Sequence, residues 1–307
     1  MVEIRDRQLQ GHSLRVANYT KTFIQFLLDQ PSYNSILNKA DIELGFYSGL
    51  LHDIGKISVS GWILKKNLKF SPHQLLNFKL RIEKLKNKII SKKFSEFSSD
   101  TSKETYVKDL KALNDSIKQI NVHLNNLLLL VNESIEISSP NNIKKVLKQI
   151  DVFKNLFNVS DDLLKKWELS LLTIDSGSLC EEEMSEIQKH SESGYNILKD
   201  MSWPSHLKAL PEIVYSHHER INGSGYPRKL KGDQIHFVCQ VLSICDIYDA
   251  LSSRDRVYKK AFTVEEIQLI FLEMVKKREL DGNLVSIFIK NVVPIFQSSK
   301  DIYSKVA

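Results

Sequence analysis

The sequence is poor in the residues that interrupt helices, with 11 Gly and 7 Pro in 307 residues. Together with abundant Leu, Ile, Lys and Glu, that scarcity favours helix over sheet. Cysteine is scarcer still. Cys180, Cys239 and Cys245 are odd in number and lack metal-site spacing, which argues against a disulfide framework and suits a reducing cytoplasm. No apolar run approaches the roughly 18 residues of a membrane span. The opening MVEIRDRQ is charged and has no apolar leader core, so secretion is not expected. These absences lead to the expectation of a cytoplasmic protein without a transmembrane segment, forming one large domain or two small ones.

What is present is 42% hydrophobic and 26% charged, with a net charge of +6 that is unevenly spread. Between Leu64 and Lys93 there are ten Lys or Arg and one acid, Glu83. Two readings are open. The run is an anion-attracting surface for nucleotide, nucleic acid or membrane, or it is a solvated helix face, since its lysines alternate with a regular apolar stripe. Its aromatics are not interleaved in a base-stacking pattern, so nucleic acid is not an expected partner.

Apolar residues recur at helical spacing through most of the chain. They predict helices over about 4–30, ending at Pro31, and about 41–53. Leu75, Phe78, Ile82, Leu85 and Ile89 step by three and four. So do Tyr106, Leu110, Leu113, Ile117, Ile120, Leu124, Leu127 and Val131. Such narrow seams suit coiled-coil packing. With SEFSSDTS as a turn, they predict an antiparallel helical hairpin over about 72–132, its seam closed internally or shared between two subunits. A further helix is expected around 141–158. Ser178 with Glu181, and Thr263 with Glu266, have capping-box spacing. NGSGYP, at 222–227, is too rich in breakers to be helical.

Chemistry concentrates in the histidines. LLHDIGK places His52 and Asp53 at the end of an apolar helix, just before a Gly break. A carboxylate with two oxygens can bridge two ions, and imidazole with carboxylate suits Fe, Mn, Zn or Ni better than Ca or Mg. Taken alone, such a pair is more often an ordinary hydrogen bond at the surface or behind a site. His217 and His218 follow Ile213, Val214 and Tyr215. Burying both imidazoles without partners is costly, and a metal would relieve that cost; an exposed pair at a helix end is the alternative.

Taken together, GHSLRVA, LLHDIGK, KHSESGYNIL, HHERINGSGYP and LKGDQI…VLSICDIYDALSSRDRVYKKA stand in the order found in HD-GYP proteins. The chain resembles that bacterial signalling group of the HD superfamily of metal-dependent phosphohydrolases over roughly 10–60 and 175–262. The resemblance implies an all-α HD-superfamily helical bundle with an inserted antiparallel helical hairpin. Residues 1–70 would form its first part, 71–175 the insertion, and 176–307 the second part with C-terminal helices.

The resemblance also implies a metal centre in which His12, His52, Asp53 and Asp246 hold one ion. Asp53 bridges to a second, held by His190, His217 and His218. Gln8 stands where three-metal members carry Glu, so two divalent ions are expected, Fe favoured and Mn possible. The implied activity is hydrolysis of cyclic di-GMP to linear pGpG or GMP, by a hydroxide bridging the two ions. Asp53 and Lys56 would be catalytic; Lys56, Tyr226, Arg256, Lys259 and Lys260 would contact substrate. Val257 stands where proline is usual, which leaves the register of the last three open. A second expectation is a module of weak turnover that binds the dinucleotide or a GGDEF-type cyclase. Asp249 reads as a supporting residue, and His73, His123, His206 and His236 as ordinary surface or interface residues.

Overall fold

In a computed structural model of the chain, the structure describes residues 11–66, 68–96, 102–131, 140–157, 163–174, 177–253 and 261–297. The fold is all-α. The described helices are α1 (His12–Leu28), α2 (Ala40–Leu51), α3 (Gly61–Leu64), α4 (Pro72–Ser95), α5 (Lys103–Val131), α6 (Pro140–Phe157) and α7 (Lys166–Leu172). They continue with α8 (Glu181–Gln188), α9 (His190–Leu198), α10 (Leu210–Ser216), α11 (Phe237–Ser252), α12 (Val264–Lys276) and α13 (Gly282–Ile287). A 3-10 segment, Ile54–Ser58, follows α2, and a π turn, Phe288–Val292, follows α13. No described helix is long and apolar enough to cross a membrane. The beginning of the first expected helix and the segment from Arg254 to Lys260, with Arg256, Lys259 and Lys260, lie outside the described residues.

The chain divides into two compact units. One comprises the described residues up to Leu64 and those from Glu183 onward; the other runs from Lys65 to Glu182. In the first, α11 is the central element. Val238, Cys239, Val241, Leu242, Ile244 and Cys245 are all buried, so this helix is wrapped on nearly every side, as an almost uninterrupted apolar run requires. Around it, α1 contributes Val16, Phe23, Ile24 and Leu27, and Phe23 meets Phe288 with ring centroids 5.1 Å apart. Helices α1 and α2 approach unusually closely at Gly49, where an added Cβ would lie 2.6 Å from the Ala17 Cα. That contact brings the start of α1 and the end of α2 to the same place, and the site is built there.

The second unit is the hairpin with its supports. Ser71 and Gln74 form a reciprocal capping box at the start of α4, with Pro72 in the first helical turn, an arrangement that satisfies otherwise orphaned backbone N–H groups. Phe78, Ile82 and Ile89 of α4 join Ile120, Leu124, Leu127 and Val131 of α5 in one core with Val146, Ile150 and Phe153 of α6. The Glu168 carboxylate is wholly buried and accepts from the Arg81 guanidinium through both oxygens. It also accepts from the backbone N–H of Lys165.

Two expectations are corrected here. The seam does not run the whole length of α5: Tyr106 and Leu110 are 45% and 39% exposed. Helix α6 supplies a third layer only beside the inner half of the hairpin, where His123 and Gln149 meet at 2.6 Å. Two helices alone leave their seam accessible to water. Ser178 does not cap α8 either; its hydroxyl donates to the Lys66 carbonyl at 2.8 Å. Thr263 and Glu266 do form the expected capping box at the start of α12.

Burial raises the Cys245 thiol, and pushes that of Cys239 up to about 12, while Cys180 is only half-buried. In an aromatic disulfide assay at neutral pH the folded protein should therefore release close to one equivalent of thiolate, and the denatured protein three. Rapid reaction of all three in the folded protein would contradict this packing.

Candidate metal centre

Seven of the residues singled out in the sequence come together inside the first unit. His12 opens α1, His52 and Asp53 follow the last turn of α2, His190 opens α9, His217 and His218 follow α10, and Asp246 projects from the middle of α11. All are buried or nearly so. The ion-pair geometry converges on Asp53. Its Oδ2 lies 3.4 Å from His52 Nε2 and 3.8 Å from His12 Nε2, while its Oδ1 lies 3.4 Å from His190 Nε2. Asp246 Oδ1 approaches His12 Nε2 at 3.4 Å and His52 Nε2 at 3.7 Å. On the far side, His190 Nε2 and His217 Nε2 are 3.3 Å apart, and the His217 and His218 ring centroids are 4.0 Å apart.

The opposite edges of these rings explain why the Nε2 atoms face inward. His52, His190 and His217 each place Nδ1 against the backbone carbonyl three residues earlier. The partners are Gly49 at 2.7 Å, Ile187 at 2.7 Å and Val214 at 2.6 Å. A hydrogen bond of that kind fixes both tautomer and ring direction, leaving the Nε2 lone pair pointing away from the backbone. A glycine closes the assembly. At Gly55 an added Cβ would collide with the His190 carbonyl and come within 2.5 Å of the Gly194 N. The His52–Asp53 turn can thus lie directly on α9 only because residue 55 has no side chain.

The donor set fits divalent cations. Two groups, His12–His52–Asp53 and His190–His217–His218, each offer three ligand atoms within 4.8 Å of one another. His52 Nε2 is buried and has no hydrogen-bond partner among the described residues, a costly condition for a polar atom that an ion would relieve. Electrostatics separates the halves. Burial lowers the His12 pKa, but the carboxylates of Asp246, Asp249 and Asp53 outweigh it and hold it up at about 10. Burial raises the Asp53 carboxyl, yet Lys56, His52 and His190 keep it well below the usual carboxylate range. On the other side, burial reinforced by the His52 and His190 imidazoles brings His217 down to about 3. Burial lowers His218 and His190 too. One half attracts positive charge; the other keeps neutral imidazoles, the form that binds metal.

Lys56 and Tyr226 lie at the edge of the cluster. Lys56 Nζ is 2.6 Å from Asp53 Oδ2. The Tyr226 ring lies against His218, with centroids 4.7 Å apart. Burial and the carboxylates of Asp246 and Asp53 raise its phenol, so it is neutral at physiological pH. Two residues at this site have roles that the sequence reading missed. Glu219, adjacent to the histidine pair, is buried and accepts from the backbone N–H groups of Arg228 at 2.7 Å and Leu230 at 2.9 Å, which pins the GSGYP loop beside the site. Arg15 sits within GHSLRVA and grips Asp249 through Nε at 2.7 Å. Both signals lay inside recognised motifs, but spacing alone does not say which neighbour a charged side chain meets.

Two family profiles, each described as HD domain, match residues 9–155 and 167–284. The 3′3′-cGAMP-specific phosphodiesterase 2 of Vibrio cholerae is 35% identical over 115 residues, 38% of this chain and 22% of that protein. A cyclic di-GMP phosphodiesterase of Pseudomonas aeruginosa is 37% identical over 90 residues, 29% of this chain and 21% of its own length. Another, from Thermotoga maritima, is 31% identical over 133 residues, 42% of this chain and 35% of its own length. The chain therefore spans only a minor part of each relative.

Gly55→Ala should lower the metal content of purified protein while leaving its helical circular dichroism intact, because it displaces ligands without removing any. Full metal occupancy in this variant would show that the close contact is dispensable. A pH effect follows from the imidazole half. Unfolded histidines protonate near 6.5, whereas folded His217 resists until about 3, so between these values the unfolded state binds more protons. Chelator-treated protein should therefore lose thermal stability steadily from pH 7 to pH 5. His12, raised in the fold, is protonated in both states at the lower end and does not reverse the trend. A flat or rising melting temperature over that range would contradict the assignment.

Proposed function

Because the chain belongs to the HD domain family and its buried histidines and aspartates have the donor set of a metal centre, we propose that it is a metal-dependent phosphodiesterase acting on a cyclic dinucleotide. Cyclic di-GMP is the leading substrate and linear pGpG or GMP the product. The reading is carried by one observation: the two oxygens of Asp53 face separate histidine clusters, with a lysine ammonium on the same carboxylate. His12, His52, Asp53 and Asp246 would hold one divalent ion; Asp53, His190, His217 and His218 would hold the second, with Fe favoured and Mn possible. Such ions supply Lewis acidity and water of lowered pKa at neutral pH.

The chain's own residues do the rest. Asp53 holds the two halves of the centre in register. Lys56 Nζ, within 2.6 Å of that carboxylate, is placed to contact a phosphodiester oxygen as negative charge grows on it. The neutral Tyr226 phenol donates a hydrogen bond to the substrate from the wall formed with His218. Arg256, Lys259 and Lys260 complete the phosphate contacts in this proposal, guanidinium being suited to bidentate grip. Relatives are named for cyclic di-GMP and for 3′3′-cGAMP; their shared chemistry is the cyclic dinucleotide, and guanine specificity is an inference from relatedness. A second reading keeps the metals without efficient turnover, as a module that binds the dinucleotide or a GGDEF-type cyclase. It is favoured by Val257 in place of proline and by the inserted second unit.

Anaerobic incubation of Fe(II)- or Mn(II)-loaded protein with cyclic di-GMP, followed by chromatography, separates the readings. The expected result is linear product from wild type and none from Asp53→Ala, which should also lose bound metal. Lys56→Ala should keep its metal while kcat falls on the order of 100-fold. Absence of turnover from fully metallated wild type, on cyclic di-GMP and on 3′3′-cGAMP alike, would leave the binding module as the surviving reading.

A further inference from the structure

Of the four histidines of this cluster whose Nδ1 partners are described, three lean on a backbone carbonyl. His12 does not. It opens α1, and its Nδ1 instead meets the Asp249 carboxylate at 2.7 Å. Asp249 is buried and is itself held in a fork by Arg15, with Nε on Oδ1 at 2.7 Å and a terminal nitrogen on Oδ2 at 3.0 Å. The same guanidinium donates to Ser253 Oγ at 3.1 Å.

The arrangement is two interlocked pairs. Residues three apart share a helix face, so α1 presents His12 and Arg15 together, and α11 presents Asp246 and Asp249 together. Asp246 approaches the inward nitrogen of His12 at 3.4 Å, while Asp249 holds the outward one. An imidazole backed by a carboxylate is a stronger electron donor than one backed by an amide carbonyl, and its partner helps fix metal affinity. Among the described residues no carboxylate backs His190 or His217, whose outward nitrogens meet the Ile187 and Val214 carbonyls.

We propose that Asp249, clamped by Arg15, is a positioning residue that makes the His12 half of the centre electronically distinct and controls occupancy of that half alone. This rests on the two-ion reading above. Asp249 touches neither substrate nor ion in this proposal; it acts through the orientation and donor strength of His12. The fork from Arg15 is what keeps the carboxylate aimed at the ring, so loosening the guanidinium should have the same effect in weaker form.

The test uses chelator-stripped full chain titrated with Co(II). Calorimetry gives the affinity of each ion, and proton NMR follows the shifted, exchangeable imidazole N–H signals of the Co(II) protein. Asp249→Asn keeps a hydrogen-bond acceptor but removes the charge. It should weaken one of the two ions by 10- to 100-fold, leave the other unchanged, and move or lose one N–H signal while the rest stay. Arg15→Gln should act in the same direction less strongly, and it serves if Asp249→Asn fails to fold. Wild-type affinity for both ions in both variants, or joint loss of both ions with the fold intact, would overturn the proposal. Failure of the wild type to bind any ion is a separate outcome, seen before any substitution; it would overturn the two-ion reading and this inference with it.

Discussion

The site depends on a single carboxylate being approached from two sides. Asp53 has one oxygen near His12, His52 and Lys56, and the other near His190. Bringing that many polar groups out of water is unfavourable unless their charges and lone pairs are matched. The rest of the first unit reads as the means of holding them. Gly49 lets α1 and α2 touch, and Gly55 lets the Asp53 turn rest on α9. The apolar α11 carries Asp246 through the core. Substituting either glycine leaves every donor in the sequence but changes the distances between them, which is where the chemistry resides.

The division of charge within the cluster has a physical logic. Its carboxylates gather at the His12 end, where they favour positive charge, whereas at the His217 and His218 end burial and the neighbouring imidazoles outweigh the pull of Asp53 and Asp246 and keep the rings neutral. A centre of this kind need not treat two ions alike, even when each end presents three donors. Differences between ions then arise from what stands behind the donors rather than from the donors themselves.

Much of this was legible in the sequence, and what was not has identifiable causes. The helices of the hairpin announced themselves because an apolar period of three and four residues has one local meaning, and the clustering of the seven histidines and aspartates because five motifs stood in a known order. The open end of the seam at Tyr106 and Leu110 was not legible, since periodicity shows which face is apolar but not how far a third helix extends along it. Ser178 had the right spacing for a cap yet spent its hydroxyl on Lys66, a partner more than a hundred residues away. The grip of Arg15 on Asp249 belongs to the same class, a pairing between motifs far apart in the chain, whereas Glu219 reaches only nine and eleven residues along its own loop, where spacing does not say which backbone groups a carboxylate will meet.

The order of the clustered histidines and aspartates along the chain has a consequence for how the protein is made. His12, His52 and Asp53 precede the Lys65–Glu182 unit, while His190, His217, His218 and Asp246 follow it. At roughly 5–20 residues per second of synthesis, a nascent chain carries half of a polar cluster for on the order of ten seconds before the other half exists. During that interval the hairpin unit, whose described core is drawn from residues within Lys65–Glu182, emerges ahead of the second half of the cluster. The early histidines and aspartate must remain hydrated meanwhile, closing into a centre only after α11 emerges.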